Sequence, residues 1–415
     1  MLRGRVRIPG SKSHTIRSVV LASLAEGKSE IMAPLVSADS LAAVRAYQNL
    51  GAHIDCGDIW SVRGTGGDIR PPDNIVDVAN SGTTLRLAIG SAALLKEGAA
   101  VFTGDDQIRA RPVGPLLNSL NDLGATCLST RSDGRAPVVI RGALRGGRTT
   151  IDAVTSQYLT SLLINTPLAS HNSVIEVTRL NEQPYVEMTL NYLDEQQIRY
   201  THDGFRRFEI QGRQRYRPFK KHIPADFSSA TFFLCAGVIL EGDLILEGLD
   251  FSDTQGDKVV VDILRQMGAD ITVNDRELLV QGGDLNGIDI DLNDTPDALP
   301  ALAVVACFAR GRTRLLNVPQ ARLKETDRIA VMARELIRLG AIVKELPDGM
   351  EIERSTLKPA GLHGHDDHRV VMALSLAALA LEGTSTIDTA EAVNVTFPDY
   401  VPLMQSVGAK ITLVE

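Results

Sequence analysis

Leu24-Ala-Glu-Gly27 ends an apolar, helix-like segment and is followed by a β-rich run. Successive copies of its glycine lie 71, 144, 69 and 72 residues apart, and a degenerate copy, Leu168-Ala-Ser-His-Asn172, falls in the double interval. A constant period of this kind predicts repeated supersecondary units. The other copies are Leu95-Lys-Glu-Gly98, Leu240-Glu-Gly242, Phe308-Ala-Arg-Gly311 and Leu381-Glu-Gly383.

A second marker, Gly-Ala before a predicted strand, repeats with the same period. Its intervals are 73, 144, 72 and 68 residues, and glycine suits the position just after a helix. In one unit, residues 41–50 predict a helix, and residues 53–56 and 61–63 predict strands. We therefore expect a mixed α/β fold of six units, each of about 70 residues, grouped into two three-unit domains that divide near Pro224. The marker glycines are Gly51, Gly124, Gly268, Gly340 and Gly408.

Composition excludes several classes of protein. The chain has 415 residues, of which 44% are hydrophobic and 23% charged, as in globular proteins. Its net charge of -8 disfavours a nucleic-acid binder. The longest apolar runs, 298–309 and 370–381, are shorter than the roughly 18 residues of a membrane span, so they predict core helices. The N-terminus has no apolar signal region, so we expect a cytoplasmic protein that does not associate with a membrane.

Polar and cationic residues recur where the first helix of each unit begins. The Ser, Thr, Asp and Asn residues there are common N-caps. N-capping does not explain Lys12, Arg17, Arg86 or Arg369, because cations at a helix N-terminus oppose the helix dipole. Helix N-termini with added cations favour phosphate or carboxylate, so this pattern predicts a site for a small, multiply charged anion. The starts are Pro9-Gly-Ser-Lys-Ser13, Asn80-Ser-Gly-Thr-Thr84, Thr155-Ser-Gln-Tyr158, Asp226-Phe-Ser-Ser229, Asp294-Thr-Pro-Asp297 and Asp366-Asp-His-Arg369.

Several familiar motifs are incomplete. Gly10-Ser-Lys-Ser13 lacks the upstream glycine of a P-loop. Arg63-Gly-Thr-Gly-Gly67 lacks the strand–helix context of a dinucleotide fingerprint. The histidines of His363-Gly-His-Asp-Asp-His368 lie too close together, beside Arg369, for good zinc geometry. We therefore expect no metal site.

The chain resembles the 5-enolpyruvylshikimate-3-phosphate synthases of the enolpyruvyl transferase family, over nearly its whole length. The Lys-Glu-Thr-Asp-Arg and Asp-His-Arg elements, in this order after the first Lys-Ser element, are its most specific features. The segments that carry the resemblance are Pro9-Gly-Ser-Lys-Ser13 with Arg17, Asn80-Ser-Gly-Thr-Thr-Leu-Arg86, Arg111-Pro112, Ser156-Gln157, Pro184-Tyr185, Pro296-Asp297, Leu323-Lys-Glu-Thr-Asp-Arg328, Asp367-His-Arg369 and Thr396-Phe-Pro-Asp-Tyr400.

The resemblance implies a two-domain, inside-out α/β barrel of six βαβαββ repeats. Residues 13–223 would form one domain, residues 1–12 with 224–415 the other, and the active site would lie in the cleft between them. The implied reaction transfers the enolpyruvyl group of phosphoenolpyruvate to the 5-hydroxyl of shikimate 3-phosphate and releases phosphate. This is a step of the shikimate pathway towards chorismate and the aromatic amino acids. It implies no cofactor, no nucleic-acid partner and a monomeric protein.

The resemblance also assigns roles to individual residues. Asp297 and Glu325, with Lys12, would be catalytic; Asp297 would also meet the acceptor hydroxyls, and Glu325 the methylene carbon. Lys12, Arg111 and Gln157 would face the phosphate of phosphoenolpyruvate, with Asn80 and Gly82 beside it. The remaining implied contacts are Ser13, Arg17 and Tyr185 for the shikimate carboxylate region, Thr155 and Ser156 for its phosphate, Arg328 and Arg369 for the phosphoenolpyruvate carboxylate, and Lys324 for the acceptor hydroxyls.

The chain departs from the family pattern at four positions. Val395 stands where many members have a lysine that contacts phosphoenolpyruvate. Glu182 stands where many have a serine at the shikimate phosphate, which places two like charges together. Gln183 and Gln320 replace a common lysine and asparagine. These departures predict weaker substrate binding, whereas the retained Gly82 predicts inhibition by glyphosate.

Two other functions remain as alternatives. The sister family, the UDP-N-acetylglucosamine enolpyruvyl transferases, usually has a reactive cysteine before its Arg-Pro, and residues 104–112 contain none. A six-unit ring clamp on DNA, which is not an enzyme, needs a basic inner surface to neutralise phosphates. The acidic balance of the chain argues against that clamp.

Overall fold

The computed structural model describes residues 2–240 and 242–414. It divides into two compact units. The first unit is Lys12–Ile223, and the second unit combines the residues up to Ser11 with those from Pro224 onward. The sequence prediction grouped Lys12 with the residues before it. In the structure Lys12 begins a helix of the first unit.

The first unit contains seven α-helices and twelve strands among the described residues. The helices are α1 (Lys12–Leu24), α2 (Ala38–Asn49), α3 (Gly82–Ala92), α4 (Asp106–Ala110), α5 (Gly114–Asp122), α6 (Ser156–Asn165) and α7 (Gln183–Glu195). The strands are β2 (Lys28–Met32), β3 (His53–Cys56), β4 (Ile59–Arg63), β5 (Val76–Asp77), β6 (Ala100–Thr103), β7 (Thr126–Ser129), β8 (Val138–Arg141), β9 (Gly147–Ala153), β10 (Ser173–Leu180), β11 (Tyr200–Asp203), β12 (Arg207–Ile210) and β13 (Lys220–His222).

Three four-stranded sheets build the first unit, and all three have the same pattern. Their strand orders are β13-β2-β4-β3, β5-β6-β8-β7 and β9-β10-β12-β11. In each sheet the first pair is parallel and the other two pairs are antiparallel. In the second and third sheets one helix, α3 or α6, supplies the crossover that a parallel pair needs, and in all three sheets the last two strands form a hairpin.

The second unit repeats this architecture with β1 and the elements after Pro224. The helices are α8 (Phe227–Ile239), α9 (Val259–Met267), α10 (Leu299–Phe308), α11 (Arg328–Arg338), α12 (His368–Leu379) and α13 (Tyr400–Ser406). The strands are β1 (Leu2–Arg7), β14 (Gly242–Glu247), β15 (Asp270–Asn274), β16 (Glu277–Gln281), β17 (Asp289–Asp291), β18 (Arg312–Leu316), β19 (Ile342–Leu346), β20 (Gly349–Glu353), β21 (Gly361–Leu362) and β22 (Thr386–Ile387).

Two sheets of the second unit are complete, and the third is reduced. The complete sheets are β1-β14-β16-β15 and β17-β18-β20-β19, and the third has only β21 and β22 in the described part of the chain. The strand expected after Gly408 is not formed by the described residues 409–414. The prediction of a six-repeat mixed α/β fold is confirmed, with this difference in the last repeat.

The strands at the unit boundary exchange partners. β1 precedes α1 in the chain but pairs in parallel with β14 of the second unit. β13 precedes α8 but pairs in parallel with β2 of the first unit. The chain therefore passes between the units twice, at Ser11 and at Ile223.

The first helix of each repeat is buried in the core, and this packing determines the position of its N-terminus. In α8, α10 and α12 nearly every side chain is buried, because apolar residues cover all faces of the helix. The second helices, such as α11, are amphipathic and bury one face. Close packing of α3 on α6 requires Gly90, since a Cβ there would lie 2.2 Å from Ser161 Oγ.

Candidate active site

The first turn of α1 carries Lys12 and leads to a buried arginine. Lys12 Nζ lies 3.2 Å from Asp39 Oδ2. Arg17 is buried and donates to the backbone oxygens of Ser13 (3.2 Å) and Tyr185 (3.0 Å). Burial lowers the pKa of Arg17 to about 10, because its bonded partners are neutral. The structure thus brings Ser13, Arg17 and Tyr185 together through α1 and α7.

Two arginine side chains flank the start of α3. A Cβ added to Gly82 would lie 2.7 Å from an Nη1 of both Arg86 and Arg111. Arg111 donates to Asn80 Oδ1 over 3.4 Å, and Asn80 donates to Asp105 Oδ2 over 2.6 Å. Because glycine has no side chain, both guanidinium groups can approach the N-terminus of α3, where backbone N–H groups and the helix dipole already favour an anion.

Arg86 is one of the cations that the sequence pattern predicts to favour an anion at the helix N-termini, but the resemblance assigns it no individual substrate contact. Its Nη1 donates to Gln157 Oε1 over 2.7 Å, and Gln157 Nε2 donates to Thr83 Oγ1 over 3.2 Å. Gln157 lies in the first turn of α6, so these bonds join the starts of α3 and α6. Asn80, Gly82, Arg111 and Gln157 therefore form one group with Arg86.

The start of α6 is occupied by a carboxylate. Glu182 is 2% exposed. Its Oε2 accepts from Thr155 Oγ1 (3.1 Å), Ser156 N (3.2 Å) and Ser156 Oγ (2.8 Å). Three donors thus converge on one anionic oxygen, so the like-charge conflict expected from the sequence falls on the donors assigned to the shikimate phosphate.

In the second unit, the predicted catalytic Asp297 lies among three cations. Its Oδ1 is 2.8 Å from Arg328 Nη1 and 3.7 Å from Lys324 Nζ. Its Oδ2 is 3.2 Å from Arg369 Nη2. The side chain is 19% exposed, so a ligand can reach it. These cations favour the ionised carboxylate of Asp297, which is the form that can accept a proton.

Arg328 connects the carboxylates of this network. Its side chain is 1% exposed, and it donates to Asp367 Oδ2 over 2.8 Å and to Glu325 Oε2. Burial alone would lower the pKa of Arg328, but Asp367, Glu325 and Asp297 together raise it. Burial alone would raise the pKa of Asp367, but Arg328 holds it below the usual range. The network is therefore built from compensating charges.

Helix α11 begins later than the sequence predicts. The charged run of residues 322–328 predicts the start of a helix, but Lys324 and Glu325 lie in the loop before it, and α11 starts at Arg328. Asp327 accepts from Ala330 N over 3.0 Å, which caps the helix at that point. The charges that would crowd one helix face are instead spread around Asp297.

The other departures from the family pattern have ordinary local contacts. Val395 ends a short 3-10 helix, Ala390–Val395, and is partly buried. Gln320 donates to Asn293 O over 2.9 Å, and Gln183 donates to Glu187 Oε1 over 2.8 Å. Nothing in these contacts replaces the lysine expected at position 395.

The histidine-rich segment holds its loop by pairing with acids. His363 bonds to Asp388, and His365 Nε2 lies 3.0 Å from the buried Glu335 Oε1. Across residues 2–240 and 242–414, no group of three His, Cys, Asp or Glu side chains is arranged to hold a metal ion. In the same ranges, no helix has the length and hydropathy of a membrane span.

Comparison with known proteins points to one family. A sequence model described as EPSP synthase (3-phosphoshikimate 1-carboxyvinyltransferase) matches residues 1–404. The chain is 55% identical over 413 residues to the 3-phosphoshikimate 1-carboxyvinyltransferase of Acetivibrio thermocellus, covering 99% of this chain and 97% of the relative. It is 52% identical to the protein of that name from Ruminiclostridium cellulolyticum, covering 100% and 98%.

Solved structures agree with this result. The EPSP synthase of Acinetobacter baumannii superposes with a TM-score of 0.84 at 28% identity, covering 100% of this chain and 97% of that one. The family model, the relatives and the structural neighbour each cover almost the entire chain. The chain belongs to the EPSP synthase family.

Proposed function

We propose that this protein is an enzyme that transfers the enolpyruvyl group of phosphoenolpyruvate to the 5-hydroxyl of shikimate 3-phosphate. The observation that carries the proposal is the 55% identity, over 99% of the chain, to a 3-phosphoshikimate 1-carboxyvinyltransferase. The groups around Asp297 and Gly82 supply the two kinds of chemistry that the reaction needs, which are proton transfer and the binding of anions.

The reaction consists of an addition and an elimination. In the addition, the acceptor oxygen loses its proton and bonds to C2 of phosphoenolpyruvate, while C3 gains a proton and becomes a methyl group. In the elimination, C3 loses a proton, the double bond re-forms and the C2–O bond to phosphate breaks. A base near the acceptor oxygen and an acid near C3 are therefore required, and each then works in reverse.

We assign the proton transfers to the second unit. Asp297 has the cationic surroundings that suit a base for the acceptor hydroxyl, and Lys324 lies beside it to bind hydroxyl oxygens. Glu325, hydrogen-bonded to Arg328, is the proposed proton donor to C3. Arg328 and Arg369 would bind the carboxylate of phosphoenolpyruvate, since both already contact Asp297.

We assign most of the anion binding to the first unit. Lys12, Arg111 and Gln157, with Arg86, Asn80 and Gly82, would bind the phosphate of phosphoenolpyruvate. Lys12 would also stabilise the charge that develops on the leaving phosphate, which is its proposed catalytic role. The acceptor would be held by Ser13, Arg17 and Tyr185 at its carboxylate and by Thr155 and Ser156 at its phosphate.

The proposal also covers the location, the oligomeric state and the cofactors of the protein. We propose a cytoplasmic monomer that uses no metal or organic cofactor. The proposed roles fall on residues of both units, so the loss of an assigned residue in either unit should be enough to stop turnover. Gel filtration, and activity measured after dialysis against a chelator, test the monomer and the absence of a metal.

The decisive experiment measures phosphate release from phosphoenolpyruvate. Shikimate 3-phosphate and UDP-N-acetylglucosamine are supplied in separate reactions, and we expect release only with the first. Release only with the sugar nucleotide would show that the acceptor is wrong, and no release with either would overturn the proposed function.

Glyphosate provides a second assay of the phosphoenolpyruvate site. Gly82 leaves the space between Arg86 and Arg111 open, so we propose that glyphosate, a small phosphonate with a carboxylate, inhibits the enzyme. Inhibition should be relieved by adding phosphoenolpyruvate. A rate unchanged by millimolar glyphosate would contradict this.

A further inference from the structure

Glu182 has an unusual position for a buried carboxylate. Its Oε2 alone receives hydrogen bonds from Thr155 Oγ1, Ser156 N and Ser156 Oγ, over 2.8–3.2 Å. The donors belong to the N-terminus of α6, where the helix dipole adds to their attraction for negative charge. One oxygen of the protein thus occupies the full set of donors that a phosphate oxygen would use there.

A cation supports this arrangement. The negative charge of Glu182 acts on the buried guanidinium of Arg17 and favours its charged form. Without Glu182, Arg17 would have only the neutral partners Ser13, Thr189, Thr160 and Tyr185. Glu182 therefore supplies local negative charge to a part of the first unit that otherwise holds an excess of buried donors.

The backbone of Glu182 also has an unfavourable conformation. Its φ and ψ are 60° and 43°, in the left-handed region, which is unfavourable for a residue with a Cβ. Helix α7 then begins at Gln183 with Pro184 in its first turn, and Tyr185 N donates to Glu182 O over 3.1 Å. The turn that presents Glu182 to α6 is thus the same turn that starts the helix carrying Tyr185.

We infer that Glu182 is an internal anion that must leave the start of α6 before the phosphate of the acceptor can bind there. This inference rests on the proposed function. A carboxylate and a phosphate cannot share three donors, because two anions at contact distance repel strongly in a buried site. Glu182 therefore determines how much the acceptor phosphate contributes to binding.

The test compares acceptors with and without the phosphate. In Glu182→Ser the donors keep a hydroxyl neighbour and lose the competing charge. We expect the KM for shikimate 3-phosphate to fall about tenfold, as for one charge-assisted hydrogen bond. The KM for phosphoenolpyruvate and kcat should change little. The ratio of kcat/KM for shikimate 3-phosphate to that for shikimate should rise by the same factor.

Two further variants separate the charge from the fold. Glu182→Gln keeps the size of the side chain and removes its charge, so it should give a smaller change in the same direction. Glu187→Ser is the matched control, since Glu187 lies on the same helix and is bonded to Gln183. It should leave the ratio between the two acceptors unchanged.

Inorganic phosphate gives a readout that does not depend on turnover. The increase in Tm on adding phosphate should be larger for Glu182→Ser than for the natural protein, because only the variant has vacant donors at α6. An equal increase in both, together with an unchanged KM for shikimate 3-phosphate, would overturn the inference. So would a KM that rises for both substrates, which would mean that Glu182 supports the site.

These outcomes are distinct from a failure of the proposed function. If the natural protein shows no turnover with shikimate 3-phosphate, the proposed reaction is wrong, yet the phosphate-dependent Tm still reports whether Glu182 blocks an anion site. If turnover is present and the preference for the phosphorylated acceptor is the same in Glu182→Ser, the reaction stands and the inference fails.

Discussion

Arg17 in the first unit and Arg328 in the second unit are both fully buried, but the groups bonded to them differ in charge. Arg17 is bonded to neutral oxygens, and burial lowers its pKa to about 10. Arg328 contacts Asp367, Glu325 and Asp297, and these carboxylates raise its pKa in spite of burial. The two units therefore hold buried positive charge by different means.

This difference fits the roles proposed for the two units, which are anion binding in the first and proton transfer in the second. Arg17 donates to a backbone oxygen, and Arg86 and Arg111 each donate to a side-chain amide oxygen. We propose that a substrate anion supplies further negative charge to these guanidinium groups. Around Arg328 the charges already balance, which suits groups that must exchange protons without a large change in net charge.

The largest expected effect is on the carboxylates of the second unit. Asp297→Asn and Glu325→Gln should each lower kcat by about a hundredfold or more, because each removes a group that we propose transfers a proton. Steady-state kinetics of phosphate release measures this, and circular dichroism checks that the fold persists.

Asp289→Asn serves as the control for these two variants. Asp289 pairs with Arg314 on the surface of the same unit, over 2.7 Å. Its kcat should match that of the natural protein. Turnover close to normal in Asp297→Asn would remove Asp297 from its role as base, and the same result in Glu325→Gln would remove Glu325 as acid.

The next expected effect is a difference in stability between variants of the two buried arginines. Arg328→Met leaves Asp367 and Glu325 buried without their cation and should lower the free energy of unfolding by about 3–5 kcal/mol. Arg17→Met leaves only neutral acceptors and should cost about 1–3 kcal/mol. Urea unfolding followed by fluorescence and circular dichroism compares the two variants.

A double variant sharpens this comparison. Asp367→Asn removes one of the charges that Arg328 compensates. In Arg328→Met with Asp367→Asn, the loss should therefore be smaller than the sum of the two single losses. Equal losses in Arg17→Met and Arg328→Met, or strict additivity in the double variant, would show that the charge network does not set the stability of the second unit.

The spacing of the marker glycines was sufficient to predict six repeats, because a glycine after a helix reflects local geometry. Local signals failed where a tertiary contact decides the outcome. The pairing of Arg86 with Gln157 links residues 71 positions apart, so no local pattern could reveal it.

Glu182 shows a different limit of the sequence. A carboxylate at this position signals a conflict with a phosphate, but only coordinates show that it occupies the donors of Thr155 and Ser156. The reduced last sheet, β21-β22, was likewise not predicted, because Gly408 carries the same marker as the complete repeats.

A smaller expected effect tests the positions of the arginines at the start of α3. In Gly82→Ala, the new Cβ would lie 2.7 Å from Arg86 Nη1 and from Arg111 Nη1. Both contacts are with the ends of flexible side chains, so the fold should persist while the guanidinium groups shift by a few tenths of an ångström. We expect the KM for phosphoenolpyruvate to rise about tenfold and inhibition by glyphosate to weaken.

Gly57→Ala is the matched control, since the nearest atom to its added Cβ is 3.8 Å away, at Ile59 O. It should alter neither the KM for phosphoenolpyruvate nor the inhibition by glyphosate. An unchanged KM in Gly82→Ala would mean that Arg86 and Arg111 do not bind the substrate phosphate where the structure places them.

The last expected effect is a pH dependence that belongs to the second unit. Burial lowers the pKa of His368 to about 3, and this outweighs the opposing charges of Glu325 and Asp367. The unfolded chain, with a histidine pKa of about 6.5, binds more protons than the folded chain between about pH 6.5 and pH 3. The free energy of unfolding should therefore fall as the pH is lowered through this window, by at most about 1.4 kcal/mol per pH unit from this one group.

His368→Asn should remove this part of the acid sensitivity, so its stability relative to the natural protein should improve steadily from pH 6.5 downward. His53→Asn, at an exposed position on β3, should leave the pH dependence unchanged. Urea unfolding at pH 7, 6, 5 and 4 gives the slopes. If His368→Asn and the natural protein lose stability in parallel, the acid sensitivity comes from the carboxylates around Arg328, and the buried imidazole does not contribute to it.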